Sequence, residues 1–311
     1  MPRDEQRRGA AYGLLAYGVW GVFPLYFAAL KPAGAWEILS HRILWTLLLC
    51  VLVLLVRRDL RWAAQLWQRP RLGLGVTAAA VLIALNWVVY VYAVISGRTT
   101  DAALGYFLNP IVTVFLGVLV LRERLRPLQW VAVGIGAAAG LYLSVEAGSV
   151  PVVALTLAFS FGLYGLVKKK VGASLEAMHS LAAETAVLAP LAAVVLAVLT
   201  ARGHTTFTTE GGWHTTLLVA AGVTTALPLL LFAAAARRVP LVTMGLLQFI
   251  TPVLQLLCGV LLLGEHMTTA RWVGFAIVWV ALLVLTVDSL GAARSRGRRA
   301  LPWNYGTAEL R

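Results

Sequence analysis

The chain has 311 residues, of which 60% are hydrophobic and only 13% charged, and its mean hydropathy of +0.83 lies far above what the surface of a water-soluble globule tolerates. Lys and Arg outnumber Asp and Glu by 26 to 13, but they are scattered between apolar runs, so the excess reads as membrane topology and not as a nucleic-acid footprint. Cys50 and Cys258 sit inside apolar runs without metal-ligand spacing, which argues against a disulfide framework or a zinc site and leaves no cofactor expected.

Arg7 and Arg8 precede an apolar stretch ending at Ala33-Gly34-Ala35, which imitates a signal-peptide cleavage site. The run from Gly9 to Leu30 is nevertheless too long for a signal core. At about 1.5 Å of rise per residue it is long enough to cross a ~30 Å hydrocarbon layer. Further apolar runs follow at 36–56, 72–95, 101–121, 128–145, 150–167, 175–199, 214–236, 241–263 and 270–288. The expectation is an all-α membrane protein with ten transmembrane helices. It divides into an N-terminus over 1–8, a first five-helix repeat over 9–146, a second over 150–288, and a tail over 289–311 expected to be disordered.

Ten spans put both termini on one side of the membrane. Sorting the connections alternately gives that side 21 basic residues, among them Arg57, Arg58, Lys168, Lys169, Lys170, Arg237 and Arg238. The other side receives 4, namely Lys31, Arg98, Arg202 and Arg271, and Arg42 alone is left within a span. By the positive-inside rule both termini are expected in the cytoplasm, with the basic clusters as topological anchors.

The chain also repeats itself. A shift of 142 residues lays Phe107 on Phe249, Pro110 on Pro252, Gly117 on Gly259, Glu123 on Glu265 and Trp130 on Trp272. A shift of 144 lays Tyr17-Gly18-Val19-Trp20-Gly21 on Phe161-Gly162-Leu163-Tyr164-Gly165. Apolar composition alone does not align Pro, Glu and Trp together. Because five is odd, the second copy must enter the membrane from the opposite face. The expectation is therefore two inverted five-helix repeats, the architecture of many secondary transporters.

Polar residues within the spans supply the candidate chemistry. In the second span Glu37 and His41 are four apart and share a helix face, and Arg42 follows. A lone Arg at the bilayer centre costs roughly 2.5–3.5 kcal/mol, so it should face protein or a water-filled cavity, pair with Glu37, or snorkel. Glu184, in the seventh span, is a buried carboxylate that could carry a proton or hydrogen-bond within the bundle. Pro110 and Pro252 free the carbonyls of Tyr106 and Gln248 four residues earlier, by a kink or as ligands. Trp20, Asn86, Trp87, Tyr90, Tyr106, Asn109 and Gln248 could form the walls and hydrogen-bonding groups of a cavity for a small-molecule substrate. Glu123 and Glu265 end equivalent spans, where the macrodipole disfavours a carboxylate, which suggests paired salt bridges at two gates.

At these residues the chain closely resembles the RarD family of EamA-type transporters in the drug/metabolite transporter superfamily. The resemblance runs from the first span to the last. It rests on Trp20-Gly21 with Pro24-Leu25-Tyr26-Phe27, Glu37-Ile38-Leu39-Ser40-His41-Arg42-Ile43-Leu44-Trp45, Asn86-Trp87 and Leu104-Gly105-Tyr106-Phe107-Leu108-Asn109-Pro110. Glu184-Thr185, Pro228-Leu229-Leu230-Leu231-Phe232 and Leu247-Gln248-Phe249 also match. It implies a ten-helix inverted-repeat fold, a plasma-membrane location and a family name tied to chloramphenicol sensitivity. Tyr92, where a Trp is usual, and Ile95-Ser96, in place of a more polar turn, depart from the family pattern.

Rival classes share the hydropathy but lack support. An intramembrane enzyme would be expected to carry a His-Glu-x-x-His, a Gly-x-Ser-x-Gly or a phosphate-binding Gly-x-x-x-x-Gly-Lys-Ser/Thr, and the sequence contains none of them. A channel or lipid scramblase gives no reason for an inverted repeat. The expectation is a secondary transporter with a small-molecule substrate, membrane lipids around it, protons as a candidate coupling ion, and no nucleic-acid partner.

Overall fold

The computed structural model describes residues 3–59, 68–121, 125–146, 148, 150–171, 175–236, 238 and 247–299, and among them the regular structure is entirely helical. In chain order the helices are α1 (Arg3–Gly21), α2 (Phe23–Ala29), α3 (Ala35–Val56), α4 (Pro70–Ile95), α5 (Thr99–Leu121) and α6 (Pro127–Glu146). They continue with α7 (Val152–Val171), α8 (Ala177–Ala201), α9 (Gly211–Ala236), α10 (Ile250–Leu257), which runs into a π-helical turn over Cys258–Leu262, and α11 (Thr269–Arg299). Among the described residues, eight helical segments have the length and apolar composition to cross a membrane, α1 and α2 together forming the first of them. Two shorter apolar helices, Val152–Lys168 and Ile250–Leu262, stand where the sixth and ninth spans are expected.

The ends differ from expectation. Helix α1 already begins at Arg3, so the stretch set apart as an N-terminal extension is the first turns of a helix. The last helix runs on to Arg299, eleven residues past the expected boundary at 288, through the basic cluster from Arg294 onward, with no Pro in Ser289 to Arg299 to break it. The remainder of the expected tail, 300–311, and part of the ninth span, 241–246, lie outside the described residues.

The first span is broken by its own sequence. Pro24 cannot donate to the carbonyl of Trp20, so α1 ends at Gly21 and α2 restarts with Pro24 in its first turn. The freed carbonyl is not left bare: Gln255 Nε2 donates to Trp20 O at 3.2 Å. Thr251 Oγ1 donates to Tyr17 O at 2.9 Å, so α10 braces the break along a full turn.

Helices distant in sequence pack together. Helix α1 lies against α9 and α10, and α7 lies against α4 and α5. Helix α3 packs on α8 and α9, α4 on α8, α5 on α10, and α6 on α11. Apolar cores fill these seams: Phe107, Phe275 and Ala139 between α5, α6 and α11, and Leu39, Ile43, Trp87 and Leu188 between α3, α4 and α8. The outward faces carry Leu52, Leu141, Leu191 and Leu283, each more than half exposed. Such an apolar exterior is stable against lipid and not against water.

Candidate functional site

Helix α3 carries Arg42 into the interior, where the side chain is buried. Its Nε donates to Thr225 Oγ1 of α9 at 2.8 Å. Its guanidinium carbon stands 4.0 Å from the ring centre of Trp87 on α4, and 5.6 and 5.8 Å from the rings of Phe27 and Phe23 on α2. Three aromatic faces thus supply cation–π attraction to a charge removed from water. Nη1 is buried and has no acceptor among the described residues.

Thr225 reaches Arg42 because α9 approaches α3 very closely. A Cβ on Gly222 would stand 2.6 Å from the backbone carbonyl of Trp45, so only Gly lets the two backbones touch. Thr225, three residues on and on the same face of α9, is then held in place by donating its own proton to Ala221 O at 2.8 Å.

The aromatic wall continues along α4. Tyr90, one turn beyond Trp87, meets Phe27 edge-on at 5.8 Å and Tyr106 of α5 at 5.6 Å. Its hydroxyl is likewise buried without a partner among the described residues. Tyr106 donates to Asn86 Oδ1 at 3.0 Å, and Asn86 Nδ2 donates to Leu157 O at 3.1 Å and Ser160 Oγ at 3.0 Å on α7. Asn86 therefore ties three helices, and its amide hydrogen-bonding capacity is largely used up.

The structure separates Glu37 and His41 from Arg42. The Glu37 carboxylate accepts the backbone N–H of Thr206 at 2.6 Å and the Thr206 hydroxyl at 3.0 Å, with His214 Nε2 at 2.7 Å from that hydroxyl. His41 stacks on Phe207, ring centres 4.6 Å apart, and its Nδ1 accepts from Trp45 Nε1 at 3.2 Å. Both residues hold the connection between α8 and α9. Glu37 is not the partner of Arg42, because five residues turn an α-helix by about 140° and the two side chains leave opposite sides.

Glu184 is not an isolated carboxylate. Lys168, expected as a topological anchor, lies within α7 and places Nζ 2.6 Å from Glu184 Oε1. Ser180 Oγ and Tyr164 OH donate to the same carboxylate at 2.9 and 3.1 Å. Arg42 is thus not the only cation within a helix of the bundle, and Glu184 belongs to an ion pair.

Glu265 makes no salt bridge among the described residues. Its two oxygens accept the backbone N–H groups of Thr99 and Thr100, the second at 2.8 Å, at the start of α5. Gly264, at φ +69°, turns the chain out of the π-helical turn and aims the carboxylate there. A carboxylate suits a helix N-terminus, whose first N–H groups lack intrahelical acceptors. Glu265 is a cap on another helix, not one half of an ion pair. Its sequence counterpart Glu123 lies outside the described residues.

The remaining candidates are dispersed. Trp20 packs among Tyr17 and Phe232 at 5.6 and 5.9 Å. Asn109 Oδ1 accepts from Thr113 at 3.4 Å within α5. Gln248 is half-buried at the approach to α10. Pro110 sits in the interior of α5, and Pro252 in the first turn of α10, where a missing N–H costs little. Sequence reasoning missed Thr225 and Gln255, polar residues of ordinary appearance. The signal that could have found them is the need of Arg42 and of the Trp20 carbonyl for partners.

Comparison with known proteins places the chain. A model of the EamA-like transporter family matches twice, over residues 7–145 and 149–287. The duplication seen in the sequence is thus a tandem pair of one family unit. The chain is 49% identical over 297 residues to Protein RarD of Streptomyces exfoliatus, covering 95% of this chain and 93% of that one. It is 43% identical over 299 residues to an uncharacterized transporter of Pseudomonas aeruginosa, covering 94% and 98%. A crystal structure at 17% identity superposes with a TM-score of 0.59 over 90% of this chain and 97% of the other, a likeness of fold. The helices long and apolar enough to cross a membrane and the twofold match over almost the whole length agree, and the chain belongs to the EamA-like transporter family as a multi-pass membrane transporter of the RarD type.

Proposed function

We propose that the chain is a secondary transporter that moves a small metabolite or drug-like molecule across the plasma membrane by alternating access. Ten spans in two inverted halves carry it, with α1 and α2 counted as the first and the shorter helices α7 and α10 as the sixth and ninth. The observation that supports this most is the exchange symmetry of the packing. Adding five to each span number turns the contact of the first span with the eighth into that of the sixth with the third, and the first with the ninth into the sixth with the fourth. Contacts of the second span with the seventh, the fourth with the ninth and the fifth with the tenth map onto themselves. Two halves packed by exchangeable contacts can adopt two arrangements of similar energy, opening a central site first to one side and then to the other.

The central site of this reading is the Arg42, Trp87, Tyr90 and Phe27 cluster, with Tyr106 and Asn86 behind it. Glu184 with Lys168 is the place where a proton would couple to transport. Both termini face the cytoplasm in this reading. The name of one relative, a chloramphenicol-sensitive RarD of Pseudomonas aeruginosa at 28% identity, makes amphenicols reasonable members of a first substrate screen.

The test is counterflow in proteoliposomes. A carrier loaded with unlabelled solute accelerates entry of the labelled solute and saturates. Flux that rises linearly with the gradient, without acceleration by internal solute, would replace the carrier with a channel.

A further inference from the structure

We infer that the transported solute carries an anionic head, a carboxylate in the first instance, on an apolar or aromatic body, and that the head docks on Nη1 of Arg42. The inference rests on the transporter reading above and deepens it.

Charge and hydrogen bonding carry the argument. Of the two buried carboxylates in α3 and α8, Glu37 is taken by Thr206 and Glu184 by Lys168, so neither neutralises Arg42. The guanidinium makes one hydrogen bond among the described residues, to a neutral hydroxyl, and Nη1 has no acceptor there. A buried cation whose Nη1 lacks an acceptor and which has no counter-ion among the described residues is an incomplete site. Arg offers a planar fork that matches a carboxylate two bonds at a time. Engagement of Nε by Thr225 leaves the outer edge of the fork for a ligand.

The surroundings fix the rest of the ligand. Trp87, Phe27 and Phe23 line the guanidinium, and Tyr90 stands against Phe27 with a buried, unpartnered hydroxyl. Aromatic faces accept an apolar body, and the Tyr90 hydroxyl can bond a second polar atom on it. A cation would meet Arg42 as a like charge, and a neutral amide would leave the charge uncompensated. The site therefore ranks acid over amide over amine.

The experiment uses the full-length protein in detergent and a panel of aromatic and branched-chain carboxylates, phenylacetate among them, each against its primary amide and its amine. Binding is read from quenching of tryptophan fluorescence and from thermal shift. At least one acid of the panel should bind about tenfold or more tightly than its amide, which is one decade in Kd. R42Q should abolish the preference, and R42K should keep its sign while weakening it, because Lys retains the charge without the fork. Amides binding as well as acids throughout the panel, or an acid preference that survives in R42Q, would overturn the inference. If R42Q does not fold, the acid-to-amide comparison on the unaltered protein decides alone. Counterflow of the same compounds separates the two readings: saturable exchange of amides or amines without acid preference removes the anion and keeps the carrier, whereas acid-selective binding without exchange does the reverse.

Discussion

Glu265 and Thr100 are joined by a carboxylate-to-backbone hydrogen bond of 2.8 Å across 165 positions of chain, and with the neighbouring bond to Thr99 it caps α5 from a loop before α11. Arg271 reinforces the junction by reaching Thr100 Oγ1 and, at 3.3 Å, Asp101 Oδ1. Two helices of different halves are thereby held at one end by a single side chain.

Removing that carboxylate leaves two N–H groups without acceptors. Glu265→Ala should lower stability by about 1–2 kcal/mol, the size of a lost cap, and Glu265→Gln by less because its amide oxygen still accepts. Unfolding midpoints in detergent measure the order. A Glu265→Ala protein that melts with the unaltered chain would show that the cap carries no weight.

The Lys168–Glu184 pair allows a double-mutant cycle. Lys168 keeps partial contact with solvent and Glu184 does not, so each single change to Gln should cost roughly 1–3 kcal/mol, below the 3–5 typical of wholly buried pairs. The Lys168→Gln, Glu184→Gln double variant should cost less than the two singles added. Simple additivity would dissolve the pair. Transport adds a second discrimination: if Glu184 carries the coupled proton, Glu184→Gln abolishes the proton dependence of transport.

Close backbone approach gives a third expectation. Gly222→Ala forces a methyl to within 2.6 Å of the Trp45 carbonyl, so α9 must move off α3 and the Arg42–Thr225 bond must lengthen. A Cβ on Gly165 meets nothing within 4 Å, which makes Gly165→Ala the matched control. Folded yield should fall for the first and stay level for the second, by fluorescence-detected size exclusion. Equal yields would mean that the two helices have room to part.

Much of the fold was legible because membrane spans are written in length and hydropathy, and the repeat in Pro, Glu and Trp at a fixed shift. Helix ends were less so. Charged residues at 3–8 and 294–299 lie within helices, since helix propagates through charged residues as easily as through apolar ones. Asn86, Trp87 and Tyr90 recur at helical spacing, and a span must face such groups inward, which is why the sequence suggests that they share a face of α4. Pairing with Glu37 was one of the alternatives open for Arg42, and the structure gives the carboxylate to Thr206 instead: adjacency along a helix says nothing about which loop folds back, and Thr206 is 169 positions away. Lys168 was read from its cluster with Lys169 and Lys170, and a run of like charges gives no sign that Lys168 reaches Glu184.

Topology can be tested with the structure as a guide. Thr208 lies exposed in the connection after α8 that Glu37 holds from the start of α3, and Arg57 lies exposed at the end of α3, so the two mark opposite ends of that helix. The basic-residue asymmetry puts Arg57 inside and Thr208 outside. Cys50 and Cys258 are both buried, so a membrane-impermeant maleimide should react slowly with the unaltered chain. Thr208→Cys should then be labelled in intact cells, and Arg57→Cys only after the membrane is permeabilised. The reverse pattern would turn the protein over in the membrane, moving the Glu265 cap to the cytoplasmic face and the Lys168–Glu184 pair toward the exterior. Labelling of both in intact cells would mean that an even number of spans separates the two positions instead of the five counted here, and the ten-span reading would fail with it.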